Sequence, residues 1–319
     1  MTLHAAIKEF IHHCHFEKNL SEKTMKAYQI DLLQLQAFLT PKEVSYIADI
    51  SKTHLRDYLA TLSALKPKSI KRKVAAIKTL FNYMEFEDRI LINPFRKMRI
   101  KIKEPQILPT VLELSEVIRI FKSGHEMKKQ VRNKNSYSYL ESIRNIAILE
   151  LLFTTGARVS EISNLREESI NLNSGNITIK GKGNKERIIQ LCNKESISIL
   201  RLYHNLFHDK INANKGCFFI NRFNKKLSEQ SIRNMVKKIA GNAGIKKHVT
   251  PHIFRHSFAT LLLEKDVDIK YIQAMLGHSS IMTTQIYTHV NRSRQRQILK
   301  SKHPRKDFTM MLVSEEMDE

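Results

Sequence analysis

NITIKGKGNKERIIQL, residues 176–191, is the stretch that separates this chain from an all-helical one. Apolar and polar residues alternate on both sides of GKGNK (Gly181–Lys185), and its two glycines can take positive φ. The pattern predicts a β-hairpin, Asn176–Lys180 and Glu186–Leu191, with Lys182 at its tip. Outward in both directions the hydrophobic spacing turns helical. Upstream lie Glu113–Lys122 and Tyr139–Phe153; downstream lie Ser196–Leu206, Ser228–Ala240, His252–Glu264 and Ile269–Leu276, with a short strand at Cys217–Ile220. Residues 1–103 read as helix after helix: Ala6, Ile7, Phe10 and Ile11 share one face, Ser21 caps a helix carrying Tyr28, Leu32 and Leu35, and Ser51 caps another carrying Leu55 and Leu59. The expected fold class is mainly α with a small antiparallel β-sheet. It divides into an all-α domain at 1–103, a linker at 104–110 held out of helix by Pro105 and Pro109, an α+β domain at 111–306, and a solvated acidic tail at 307–319 ending EEMDE. The polar run Lys122–Ser138 is expected to be an exposed basic loop.

Charge narrows the function. Among 319 residues, 54 Lys and Arg stand against 31 Asp and Glu, leaving +23, so the natural partner is a polyanion. A membrane surface would need an apolar element to accompany that charge, and the longest candidate, Ile146–Phe153, is broken by Glu150. The start, MTLHAAIKEF, lacks a basic region followed by an apolar one. No membrane partner is expected, and three cysteines at irregular spacing suit a reducing cytoplasm. His12, His13, Cys14 and His15 do not make a metal site, because adjacent helical residues cannot aim at one ion; no metal and no cofactor are expected. The sharpest basic feature is LKPKSIKRKVAAIKTL (65–80), where Lys68, Lys71, Arg72, Lys73 and Lys78 stand on a helix with no acid while Val74, Ile77 and Phe81 supply an apolar face. Solvated helices ordinarily mix both charges, so these five are read as contacts to nucleic-acid phosphates.

The second domain holds residues suited to phosphodiester chemistry. Arg158 lies in TTGARVSEI, with Glu161 three residues on to hold its guanidinium. His252 and Arg255, in TPHIFRHSFAT, share an i, i+3 relation at a helix start, a place that already favours phosphate. His278 follows Gly277 in MLGHSS, and Tyr287 sits in TTQIYTHV. Two arginines, two histidines, a turn lysine and a tyrosine suit attack on a phosphodiester without a metal.

In order and context these segments resemble the tyrosine recombinases, also called phage-integrase-type recombinases, and most closely the Xer-type branch. The resemblance runs over nearly the whole chain, and SIKRKVAAIKTLFNYM is similar to the family's N-terminal DNA-binding (core-binding, SAM-like) domain. It implies that Arg158 is the first catalytic arginine, Lys182 the hairpin lysine, His252 and Arg255 the H-x-x-R pair, His278 the third-box histidine and Tyr287 the nucleophile, with 111–306 the catalytic domain. By their chemistry the arginines clamp the non-bridging oxygens, His252 is the candidate base, Lys182 the proton donor to the leaving 5′ oxygen, and His278 orients the phosphate. The resemblance further implies a 3′-phosphotyrosyl intermediate, a Holliday junction, and a homo- or hetero-tetramer on two sites in double-stranded DNA, with room for an accessory protein. The segment after Val290, NRSRQRQILKSKHPRK, fits the family's exchanged C-terminal segment. Resolution of chromosome or plasmid dimers in the cytoplasm is the expected role. A phage or mobile-element integrase, a non-cleaving regulator and a relaxing enzyme are the alternatives.

Overall fold

The structure, a computed structural model, describes residues 1–103, 110–181, 186–277 and 292–310. The chain divides into two compact units, Met1–Ile107 and Leu108–Glu319.

The first unit is built from α1 (Leu3–Phe16), α2 (Glu22–Leu39), α3 (Lys52–Thr61) and α4 (Pro67–Phe86). Thr2, Ser21 and Ser51 cap the first three through their hydroxyls, and Pro67 opens the fourth, where its missing N–H costs no helical bond. Phe10, Leu32, Leu35, Leu55, Ile77, Leu80 and Phe81 meet in one core. α4 corrects the reading of its basic residues. Lys68, Lys71, Arg72 and Lys78 are exposed, but Lys73 is only 5% exposed and its Nζ lies 3.0 Å from the buried Asp31 carboxylate of α2. Arg72 pairs with the other oxygen of Asp31, so the helix does carry an acidic counterpart, supplied from 41 and 42 residues away. A buried carboxylate needs such partners, and Lys73 is therefore a structural cation rather than a phosphate contact.

The second unit runs α5 (Leu114–Lys129), α6 (Tyr137–Thr155), α7 (Val159–Ser163), β1 (Ile170–Asn171), β2 (Asn176–Lys180), β3 (Glu186–Gln190), α8 (Lys194–Ala213), α9 (Glu229–Asn242), α10 (Pro251–Glu264), α11 (Ile269–Leu276) and α12 (Arg292–Lys302). The strands form one antiparallel sheet in the order β1-β2-β3, with Ile177 opposite Ile189 and Ile179 opposite Arg187. β2 and β3 are the two arms of the expected hairpin. α6 is apolar on all sides because it is the central rod: every residue from Ile146 to Thr155 is buried, and α5, α8 and α10 pack around it.

Three further expectations change. Lys122–Ser138 is not a loop throughout, since α5 continues to Lys129 with Ser123, Gly124, His125 and Lys128 buried. Gly124 faces Ile146, Leu149 and Ile239, a packing face that a polar-looking sequence hides. Cys217–Ile220 makes only isolated bridges, Arg166 with Cys217 and Ile220 with Lys226, while Phe218, Phe219 and Ile220 are core residues. A buried apolar run shows the same composition whether or not it pairs as a strand. The solvated tail does not begin at 307, because Phe308 and Met310 are buried, with Phe308 5.4 Å from the ring of Phe121. Residues 104–109 of the expected linker and 311–319 of the tail lie outside the described residues.

Candidate active site

Gly156 ends α6 with φ of 59°, in the left-handed region, and turns the chain so that Arg158 stands at the start of α7. No side chain fits there: a Cβ would lie 2.7 Å from both Leu276 and Phe258. Glu161, on the first turn of α7, accepts the Arg158 backbone N–H at 2.7 Å and its Nη1 at 2.9 Å. The side chain of Arg158 remains 35% exposed, and its Nη2 donates to the Gly277 carbonyl at 3.5 Å.

Arg255 reaches the same place from α10, which starts at Pro251 under a Thr250 cap. It is 5% exposed and donates to the carbonyls of Gly156 at 2.8 Å and Leu276 at 2.7 Å, the C-terminal ends of α6 and α11. Burial, then the charges of Arg158 and Arg187, push its guanidinium down to about 9, with Glu161 acting in the opposite sense. It stays protonated at neutral pH, but in a cluster of three guanidinium groups around one carboxylate. A phosphate entering beside it would relieve that repulsion.

His252 lies one turn before Arg255 on α10 and is exposed. Partial burial of its ring, together with the positive charge of His256, Arg255, Arg158 and Arg233, holds the imidazole below its ordinary value. It is neutral at pH 7 and able to accept a proton. The structure thus brings together Arg158, Glu161, His252 and Arg255. Lys182, His278 and Tyr287 lie outside the described residues, which end at Gly181 on the hairpin side and at Gly277 after α11. Among the described residues no group of three or more His, Cys, Asp or Glu converges in a way that could hold a metal, His12–His15 included, and no helix is long and apolar enough to cross a membrane.

Sequence reasoning missed Arg187. It extends from β3 onto both oxygens of Glu161, at 3.0 and 2.7 Å, and onto the Met275 carbonyl at 2.8 Å. Burial alone would raise the Glu161 carboxyl; Arg187 above all, and Arg158 with it, reverse this and hold it below the ordinary carboxylate range. The signal was present in the alternation: Arg187 shares a strand face with Ile189 and opposes Ile179, so it is a charge on the apolar side of the hairpin. Also missed was Arg305, whose buried guanidinium binds Glu150 at 2.7 Å and fixes the segment that follows α12 to α6.

With this geometry in hand, the comparisons are consistent along the chain. A family model described as "Phage integrase family" matches residues 123–294, and one described as "Phage integrase, N-terminal SAM-like domain" matches 7–87. A tyrosine recombinase of Agathobacter rectalis is 45% identical over 307 residues, covering 96% of this chain and 98% of that protein. Tyrosine recombinase XerD of Staphylococcus saprophyticus is 35% identical, covering 94% of this chain and 98% of its own length. In fold, the chain is similar to a XerH site-specific recombinase solved in a post-cleavage complex with a palindromic difH substrate, with a TM-score of 0.68 at 24% identity, covering 91% of this chain and 82% of that one. Gly156, Arg158, Glu161 and Arg255 lie inside the matched segment, and the chain belongs to the phage integrase family of tyrosine recombinases.

Proposed function

We propose that this protein is a site-specific recombinase of Xer type that cuts and rejoins duplex DNA through Tyr287. The observation that carries this reading is the convergence of Arg158 and Arg255 beside a neutral His252 at a site where one carboxylate answers three guanidinium groups. A phosphodiester under attack gains charge on its non-bridging oxygens, and Arg158 and Arg255 supply planar donors to them that are charged at neutral pH. The Tyr287 hydroxyl, with an ordinary pKa of about 10, gives its proton to His252 as its oxygen bonds to phosphorus. The bond from phosphorus to the 5′ oxygen breaks, Lys182 protonates that oxygen, and His278 donates to the phosphate. A 3′-phosphotyrosyl link and a free 5′ hydroxyl result. That hydroxyl attacks the link on a partner strand, and a second round resolves the Holliday junction.

Four protomers on two sites would carry this sequence out, the first unit holding DNA phosphates through Lys68, Lys71, Arg72 and Lys78. Resolution of chromosome or plasmid dimers in the cytoplasm is the role that the XerD relatives favour over phage integration. The test begins with a randomised duplex library incubated with the protein in EDTA, followed by recovery of covalently attached fragments. A plasmid carrying two direct copies of the recovered sequence should then yield two circles. Binding without attachment would indicate a regulator, and attachment without circle formation would indicate relaxation.

A further inference from the structure

We propose that Arg187 is a positioning residue for strand cleavage, tying the hairpin strand, the carboxylate that aims Arg158, and the end of α11 into one frame. The inference rests on Arg158 and Arg255 being the phosphate clamp. Arg187 spends its Nε and both Nη groups on protein acceptors, so its role is to support the site rather than to take phosphate. Its three attachments come from segments far apart in sequence. β3 is one arm of the hairpin and follows Lys182 by four residues in sequence; Glu161 fixes both the backbone and the guanidinium of Arg158; Met275 lies in the last turn of α11, two residues before Gly277 and three before His278. Gly277 makes room for it, since a Cβ there would lie 3.2 Å from both Cδ and Nη1 of Arg187.

The fork geometry is what the position requires. A lysine would keep the charge but could not grip both oxygens of Glu161 while also donating to a carbonyl. Glu161 faces Arg158 on its own turn, Arg187 from β3, and the charge of Arg255 from α10. Loss of Arg187 therefore frees one side of Glu161 and removes the cation that contributes most to keeping it ionised.

The test compares full-length wild type, Arg187→Ala, Arg187→Gln and Arg187→Lys in single-turnover cleavage of a nicked duplex carrying the captured site. Duplex affinity and melting temperature are measured alongside. The Ala and Gln variants should cleave about 100-fold more slowly, the loss expected from a clamp displaced by about 1 Å, while duplex affinity stays within about threefold. The acid limb of their pH profile should move to higher pH, because Glu161 protonates more readily without Arg187. A merely structural role would lower the melting temperature and scale the rate equally at every pH. The Lys variant should not restore the wild-type rate. Cleavage by Arg187→Ala or Arg187→Gln within about twofold of wild type, or full rescue by Arg187→Lys, would overturn the inference. A wild type that never links to DNA would remove the cleavage assignment and this inference together; a wild type that links, beside an equally active Arg187→Ala, would remove only the role of Arg187.

Discussion

Replacing Arg305 with Met should unfasten the C-terminal segment from the second unit at a cost that can be worked from its bonds. The guanidinium is 1% exposed and donates to Glu150 through Nε at 3.0 and 3.1 Å and through Nη2 at 2.7 Å. It also donates to Glu195 at 2.7 Å and to the Phe308 carbonyl at 2.7 Å. Glu150 is 2% exposed, and without Arg305 it would keep only the Ser196 hydroxyl, at 2.7 Å, as a side-chain donor. Removing one partner of a buried ion pair costs about 3–5 kcal/mol, because the remaining charge is left in a low-dielectric interior. For a unit of this size that is a drop of roughly 10 °C in melting temperature. Urea denaturation of the full chain, following the transition of the second unit, measures it. Glu150→Gln combined with Arg305→Met removes the orphaned charge and should recover at least about 1.5 kcal/mol of the single-variant loss. A cost under about 1 kcal/mol for Arg305→Met, or a double variant whose loss is the plain sum of the two singles, would refute the reasoning.

Three other perturbations follow from the same geometry. Burial drives His303 and His125 down to about 4, and the Nδ1 of His303 accepts the Arg305 backbone N–H at 2.9 Å. Both are neutral when folded but take a proton near pH 6.5 when unfolded, so their stabilisation is complete above about pH 6.5 and is lost as pH falls toward 4. Urea midpoints should decline across that window, and less steeply in His303→Gln. Gly156→Ala must place a Cβ into Leu276 and Phe258 at positive φ, and should cost about 3 kcal/mol in denaturant titration together with cleavage activity. Lys78→Ala should weaken DNA binding and reduce the slope of log K against log salt by about 1, whereas Lys73→Met should leave that slope unchanged and lower the stability of the first unit.

What the sequence revealed was what local pattern determines. The hairpin was legible because Ile177, Ile179 and Ile189 alternate around glycines, and the central helix because Ile146–Phe153 is apolar on every side. The two-residue β1 has too few positions to show any period, and it is visible only through its pairing with Ile177 and Asn176. α5 ran past its expected end because the polar GHEMKK stretch buries Gly124, His125 and Lys128 against other helices. At the candidate site, the i, i+3 pairs Arg158 with Glu161 and His252 with Arg255 were visible as spacing, while the roles proposed for them came from the family resemblance. Arg187, Lys73 and Arg305 were not legible in this way, because each is defined by a partner that folding brings close: Glu161 is 26 residues away, Asp31 is 42, and Glu150 is 155. Glu150 had already stood out as the only charge interrupting the central apolar run, and it is there that the C-terminal segment is fastened.

The most direct measurement is to trap the protein on a nicked duplex in EDTA, digest it, and identify the residue bearing the nucleotide by mass spectrometry. The account predicts a single 3′-phosphoryl adduct on the peptide containing Tyr287, absent from Tyr287→Phe and reduced on the order of 10²- to 10³-fold in Arg255→Ala. An adduct on any other side chain, one that persists in Tyr287→Phe, or one that forms only when divalent metal is restored would contradict it.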